Sequence, residues 1–268
     1  MAVRSESAFA SRQDDRRLQI LGLIRDTAFV RARDLSDRFG VSIVTVRADL
    51  DELARRGEIR RVRGGAVPVL RHPAETPYEA RRDAYAAEKA AIARAAAALI
   101  EPGDTVLLDV GTTTMAIARE IVARPDLEQL TVVTHGLNIA FALERSIPRV
   151  QVIVTGGSLR PLQHSLVDPL AGLVLDRLRA SIAFVGADGI HPDHGISTTN
   201  LPEAQMKQRL VAAANRRVVV ADASKFSRQA LVRVCDLADV ELILTAGEID
   251  ESMVAIVRER TEVVIAPD

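Results

Sequence analysis

The chain has one cysteine, no tryptophan and only three lysines, and each shortage excludes something. Cys235 alone cannot form an intramolecular disulfide, which fits a reducing compartment. A lone thiol beside apolar residues reads as a small core side chain rather than a nucleophile. Aromatic residues make up 3% of the chain, so the 48% hydrophobic content must build its core from Ala, Val, Leu and Ile. No apolar run approaches the ~18 residues needed to cross a bilayer, and the first twenty residues lack the apolar core of a secretory leader. The expectation is a soluble cytoplasmic protein. Its 268 residues suffice for one large domain or two unequal ones.

A net charge of −1 conceals an asymmetry. Residues 1–70 hold 14 arginines and no lysine against 10 acids, a balance of +4; residues 71–268 hold 21 basic and 26 acidic residues, a balance of −5. A basic head on an acidic body is the pattern expected when one end of a molecule meets a polyanion.

The head reads as three helices and a hairpin. Ser11 is placed to cap a first helix with Leu18, Leu21 and Ile24 on one face and Asp14 and Asp15 at its positive end. A short second helix holds Leu35 and Phe39 and closes at Gly40. Ser42 then caps a third helix, ended by Gly57, in which Ile43, Val46, Leu50 and Leu53 recur at helical spacing and face the core. The opposite face shows Val44, Thr45, Arg47, Ala48 and Asp51. Helix, tight turn and capped helix is the helix-turn-helix arrangement, whose second helix enters the major groove of DNA. Arg47 suits a guanine edge or a phosphate, and Thr45 a phosphate or a thymine methyl. The following "EIRRVRGGA" suits a wing that carries Arg60, Arg61 and Arg63 to the DNA backbone. The DNA-contacting set is therefore Ser42, Val44, Thr45, Arg47, Ala48, Arg60, Arg61 and Arg63. An ordinary surface helix with a basic tail is the plainer alternative.

Three prolines, Pro68, Pro73 and Pro77, and the absence of helical periodicity mark a linker. The division is 1–67 head, 68–84 linker and 85–268 body. In the body, seven apolar runs ("TVLLDVG", "LTVVTHG", "VQVIVTGG", "SIAFVGADG", "RVVVAD", "VELILTA", "EVVIAPD") alternate with helical patterns, which predicts a parallel α/β sheet covered on both faces. Small and polar residues follow the strands: Asp109 to Thr114, Thr134-His135-Gly136, Thr155-Gly156-Gly157, Gly186 to Gly189, and Asp222 to Lys225. Carboxyl ends of such strands face one crevice, where ligands bind. "GTTT", Gly111 to Thr114, precedes a helix whose free amides favour a phosphate. With 32 arginines to three lysines, Lys207 and Lys225 stand out as compact ammonium groups near that crevice.

"LSDRFGVSIVTVRADLDELARRGEIRRVRGGA", Leu35 to Ala66, resembles the winged helix-turn-helix signature of the DeoR family of bacterial sugar-catabolism regulators. The family commonly carries a second arginine where this chain has Ala48. From Glu88-Lys89 to about Ala246 the body resembles that family's effector domain, which is similar in fold to ribose-5-phosphate isomerase and glucosamine-6-phosphate deaminase and senses phosphorylated sugars. The resemblance implies an effector site at Asp109, Gly111, Thr112, Thr113, Thr134, His135, Gly156, Gly157, Asp188, Glu203, Lys207, Asp222 and Lys225. His135 stands where asparagine is common and Asp168 where glycine is common, which implies a retuned sugar end of the pocket.

The rival reading is a sugar-phosphate isomerase carrying a DNA-binding domain, with Asp188 or Glu203 as base. The related isomerases carry an acid where this chain has Gly189, so no catalytic residue is expected. "HPDH" at 191–194 reads as a polar loop rather than a metal site, since one cysteine and five histidines make a closed site hard to assemble. No cofactor is expected. The resulting expectation is a repressor of a carbohydrate-catabolism operon that binds double-stranded operator DNA as a homodimer or homotetramer and is released by a phosphorylated sugar or polyol. A single helix-turn-helix makes too few contacts for specific affinity, hence the oligomer.

Overall fold

Local chemistry sets the helix-turn-helix before any packing does. The computed structural model of the chain describes residues 16–24, 29–56, 58–68 and 75–267. Its head contains helix α1 (16–24), a two-residue strand β1 (Val30–Arg31), α2 (Ala32–Phe39) and α3 (Ile43–Arg55). Gly40 ends α2 at φ +61°, a left-handed conformation that glycine adopts without steric cost, and returns its N–H to Ser36 O. Ser42 caps α3, its Oγ accepting from Thr45 N at 3.1 Å. Ile20, Leu21 and Ile24 of α1, Leu35 of α2 and Val46, Leu50 and Leu53 of α3 form one core. Two expectations need correction. Leu18 is 67% exposed and Ile20 takes its place in the core, because 20, 21 and 24 share a face with one another better than with 18. Ile43 is 38% exposed, as the first residue of α3 lies beyond the edge of that core. Ser11, Asp14, Asp15 and Gly57 lie outside the described residues.

Strands β2 (Ile59–Val62) and β3 (Gly65–Pro68) form the wing hairpin, and β3 also pairs with β1, giving the order β1-β3-β2. Gly65 is required here. A Cβ at that position would lie 2.0 Å from Val30 O.

The second unit begins at His72. It runs α4 (Tyr78–Arg82), α5 (Ala86–Ala97), β4 (Thr105–Leu108), α6 (Thr112–Ala123), β5 (Leu130–Thr134), α7 (Leu137–Leu143), β6 (Val150–Val154), β7 (Ser158–Arg160), β8 (Ser165–Val167), α8 (Leu170–Leu175), β9 (Ala180–Gly186), β10 (Gly189–His191), β11 (Gly195–Thr198), α9 (Leu201–Ala213), β12 (Ala214–Val220), β13 (Val232–Cys235), β14 (Leu242–Thr245), α10 (Glu251–Arg258) and β15 (Glu262–Ile265). The seven apolar runs are the seven strands of one parallel sheet, in the order β15-β14-β12-β9-β4-β5-β6. Alternate residues bury on opposite faces, as the pleat requires. Val106, Leu108 and Phe184 meet α5 and α6, while Leu107, Ala183 and Val185 meet α8 and α9. Val219, Ile243 and Val263 meet α10. The stretch read as a linker without helical pattern instead holds the five-residue helix α4.

One interaction ties the head together. Asp49 is fully buried on α3 and accepts from Arg16 Nε at 2.7 Å and Arg17 Nε at 2.9 Å, both on α1. Asp49→Asn removes the charge that holds the two guanidinium groups, and the head should lose about 2–3 kcal/mol. Hydrogen exchange of the 43–55 amides checks this, with faster exchange expected in the variant.

Candidate functional site

The strand order dictates where a ligand can sit. From β4 the chain winds outward through β5 to β6, and from β9 it winds the other way through β12 and β14 to β15, so the direction switches between β4 and β9. Helices on either side diverge at such a switch and leave a crevice at the carboxyl ends of the strands. A cavity of about 270 Å³ lies there. The segments after three neighbouring strands line it: 110–114 after β4, 186–188 at the end of β9, and 220–225 at the end of β12.

Of the residues expected in the effector site, Gly111, Thr112, Thr113, Asp188, Glu203, Lys207, Asp222 and Lys225 line this cavity. Asp109, Thr134, His135, Gly156 and Gly157 do not. The turns after β5 and β6 stand on the far flank of the sheet, two and three strands from β9. Thr134 Oγ1 is buried and accepts from Gly136 N at 3.0 Å. Gly157 passes against β8, where a Cβ would lie 2.2 Å from Val167 O. Gly156 has φ +73° in the same turn. Asp168, expected at the sugar end, is outside the cavity and instead holds Arg209 NH1 at 2.6 Å and Gly172 N at 2.9 Å.

Asp109 and His135 lie behind the cavity floor, both fully buried. Asp109 Oδ2 accepts from Gly186 N at 2.8 Å and from the Lys207 ammonium, which also donates to Gly186 O at 3.1 Å. Asp109 Oδ1 faces His135 Nε2 at 3.0 Å, while His135 Nδ1 faces Leu166 O at 3.1 Å. Burial opposes the Asp109 charge, but the Lys207 ammonium and then His135 outweigh it and hold the carboxyl at about 2. Burial likewise opposes the Lys207 charge, and Asp109 followed by Glu203 raises its pKa in spite of it. Lys207 is therefore committed within the protein and is not the free ammonium expected from the sequence.

The cavity lining carries both free donors and carboxylates. Gly111 (φ +136°) begins α6, and the amides of Thr112, Thr113 and Thr114 precede the first intrahelical bond, Met115 N to Gly111 O at 3.1 Å. Lys225 and Arg228 line the same cavity, and among the described residues neither is ion-paired. Elsewhere in the wall stand Asp188 and Glu203. Burial opposes the charge of Asp188, yet Lys207 and then Arg81 hold its pKa below the ordinary carboxylate range.

Sequence reasoning missed the residues that come from 75–89: Thr76, Arg81, Tyr85 and Lys89, all lining the cavity, together with Gln163. Lys89 was one of three lysines in the chain and was the available signal. It is buried and donates to Arg81 O at 2.7 Å and to Ala84 O, and burial lowers its pKa.

In the head, Val44 (71% exposed), Arg47 and Ala48 project from α3 into solvent. Ser42 and Thr45 engage each other, with their hydroxyl oxygens 2.9 Å apart. Arg61 was expected on the DNA backbone, but it holds Asp51 through Nε at 2.9 Å and Gly65 O through NH1 at 3.1 Å, bracing the wing against α3. Arg60 and Arg63 are the exposed arginines of the wing. Cys235 is half-buried, and burial raises its thiol pKa to about 12, which fits an inert side chain.

The Asp109 cluster makes a pH prediction. Its folded pKa lies below the ordinary 3.8, so its stabilisation is complete above about pH 4 and disappears as pH falls through about 2. Asp109→Asn strands a buried ammonium and should cost about 3–5 kcal/mol at neutral pH. Urea denaturation of both proteins should show that gap narrowing by about 2 kcal/mol between pH 4 and pH 2.

Known proteins place this architecture. The DeoR-like helix-turn-helix domain matches residues 16–70, and the DeoR C-terminal sensor domain matches residues 85–247. The chain is 35% identical over 236 residues to the HTH-type transcriptional regulator GlpR of Haloferax volcanii, covering 88% of this chain and 91% of that protein. It is 30% identical over 249 residues to the glycerol-3-phosphate regulon repressor of Haemophilus influenzae, covering 93% and 95%. The solved structure of ribose 5-phosphate isomerase A from Methanocaldococcus jannaschii covers 52% of this chain and 53% of its own, at 20% identity and a TM-score of 0.38. With both domains matched and relatives spanning most of its length, this chain belongs to the DeoR family of DNA-binding transcriptional regulators.

Proposed function

We propose that this protein represses a carbohydrate-catabolism operon and leaves its operator when a phosphorylated sugar or polyol occupies the 270 Å³ cavity. The observation that carries the reading is the cavity's polarity. The amino end of α6 and Lys225 both line it, and a phosphate is favoured by free amides, the helix dipole and an ammonium with no ion-pair partner among the described residues. Asp188 and Glu203 offer carboxylates to hydroxyl groups. The volume is small for a ligand site, which suits a short polyol phosphate better than a nucleotide.

A receptor fits these carboxylates better than an enzyme does. A general base for aldose–ketose isomerisation works best with a pKa near the operating pH. Asp188 is held below the ordinary range, and Glu203 Oε1 is engaged by Arg160 and by Ser165 Oγ at 2.9 Å.

On DNA, the exposed face of α3 supplies Arg47 for a base edge or phosphate and the Ile43–Val44 pair for thymine methyl groups. Arg60 and Arg63 extend the contact along the backbone. Two heads on two half-sites make the specific complex, so the protein acts as a homodimer or larger even oligomer.

Arg47→Ala should weaken operator binding by about 1–3 kcal/mol, and Arg63→Ala should weaken all duplexes alike and flatten the salt dependence by roughly one counterion. Unchanged mobility shifts in both variants would remove α3 and the wing as the DNA-binding face. A melting-temperature screen of sugar phosphates against their unphosphorylated parents finds the effector, since a ligand of the folded state raises the transition. Lys225→Ala should then weaken the effector by about 1.5–3 kcal/mol, roughly 10- to 100-fold, while sparing DNA affinity. Wild-type calorimetric affinity in Lys225→Ala would place the phosphate elsewhere.

A further inference from the structure

The segment 75–85 leads from the DNA-binding head to α5, and it forms one wall of the cavity through Thr76, Ala80, Arg81, Ala84 and Tyr85. Tyr78 is buried and packs edge-on against the His164 ring, and several polar contacts fasten the segment besides. Arg81 NH1 holds Asp188 Oδ1 at 3.0 Å, and its NH2 holds Gln163, whose Nε2 donates to Thr76 O at 2.8 Å. Glu75 pairs with Arg160, which also pairs with Glu203. His164 Nε2 lies 2.6 Å from Glu79 Oε1. The segment is thus fastened to the two carboxylates of the cavity wall, directly at Asp188 and through Arg160 at Glu203.

This fastening is incomplete at two atoms. Arg81 Nε and Glu75 Oε1 are both buried without a hydrogen-bond partner among the described residues. Each such group costs free energy that a suitably placed ligand or water would recover. Asp188, by contrast, is unevenly engaged. Its Oδ2 accepts from Thr198 Oγ1 at 2.8 Å and from Thr199 N and Oγ1 at 3.0 Å, and its Oδ1 accepts from Arg81. Each oxygen has about two acceptor sites, so a ligand hydroxyl meets Asp188 at Oδ1, where it competes with Arg81. Thr198 and Thr199 are held by β11 and its junction with α9, whereas Arg81 stands on a segment fastened by ion pairs and by Tyr78. Arg81 is the donor that leaves.

We infer that residues 75–85 are a latch, closed by Arg81 on Asp188 and by Glu75 through Arg160 on Glu203, and opened when hydroxyls of a bound polyol phosphate take the place of Arg81 on Asp188. The latch rests on the effector reading above for its opening, but not for its closure. Residues 75–85 lie between the head and α5 in the chain, so their opening gives the cavity a route to DNA affinity. By linkage, a ligand that opens the latch binds more tightly when the latch is already weakened.

The test is hydrogen exchange on the full-length protein. Glu75 lies outside the cavity lining, so Glu75→Gln weakens the latch without altering the wall, and Arg160→Gln serves as a second variant that also releases Glu203. In the absence of ligand, amides of 75–85 should exchange roughly tenfold faster in either variant than in the wild type. D-ribose 5-phosphate and D-glucose 6-phosphate serve as phosphorylated polyols, and inorganic phosphate as the probe without hydroxyls. A bound sugar phosphate should speed exchange of the same amides and bind severalfold tighter to Glu75→Gln, whereas inorganic phosphate should leave exchange unchanged. Wild-type exchange in both variants overturns the latch. Slower exchange of 75–85 with sugar phosphate bound overturns its opening by ligand and makes the segment a clamp. If calorimetry detects no binding of either sugar phosphate, those effectors fail, and the ligand-free comparison of variants still decides the latch.

Discussion

A carboxylate withdrawn from water must be surrounded, and Asp109 is where this sensor domain meets that requirement. Its two oxygens take donors from the end of β9, from α9 and from the turn after β5, all at once. None of the three is optional, because the cost of burying the charge is offset only when both oxygens are engaged. The carboxyl ends of β4, β5 and β9 and the first turns of α9 are consequently fixed relative to one another. The cavity floor is the upper surface of this cluster. Gly186 belongs to the same arrangement, since a Cβ there would lie 3.5 Å from Asp109 Oδ2 and 3.8 Å from Lys207 Nζ, leaving little room for anything larger.

The three lysines show how one residue type serves three ends in a chain that otherwise uses arginine. Lys207 needs a compact head, because it fits between a carboxylate and a backbone carbonyl where a planar guanidinium would not. Lys89 fits for the same reason beneath the carbonyls of Arg81 and Ala84. Lys225 differs in having no such partners among the described residues, and this difference makes it the candidate for an incoming anion. Rarity in the sequence singled out Lys207 and Lys225, and both line the cavity. It said nothing about which ammonium was already occupied, for that depends on a carboxylate 98 residues away.

Much of the fold was legible for physical reasons that operate locally. Continuous Val, Ile and Leu runs bounded by turn residues became all seven strands, and a capping serine with a following 3.6-residue period became α3. The order of strands in the sheet is not local. Five strand ends looked equivalent along the chain, but only those of β4, β9 and β12 are neighbours at the point where the winding reverses, so Thr134, His135, Gly156 and Gly157 fell outside the cavity. The 75–85 segment failed for a related reason. Five residues of α4 are too few to show a period, and the ion pair that places Arg81 joins residues 107 apart. In α1, Leu18 and Ile20 each completed an apolar face, and only packing against α3 chose Ile20.

The two polar networks of the sensor domain differ in a way that suits different tasks. Around Asp109 the charged partners are buried, the donors come from the sheet, the turn after β5 and α9, and both oxygens are engaged, so any rearrangement exposes a charge with nothing to replace its donors. Such a cluster can hold a floor but cannot respond. Along 75–85 the side chains of Arg81 and Asp188 keep 30% and 20% exposure, and two buried polar atoms remain unpaired among the described residues. Water or ligand can reach these contacts, and the cost of breaking them is correspondingly smaller. A sensor needs one network of each kind beside its ligand: a saturated one to keep the site's shape, and an unsaturated one whose closed and open states differ by little enough for a small molecule to choose between them.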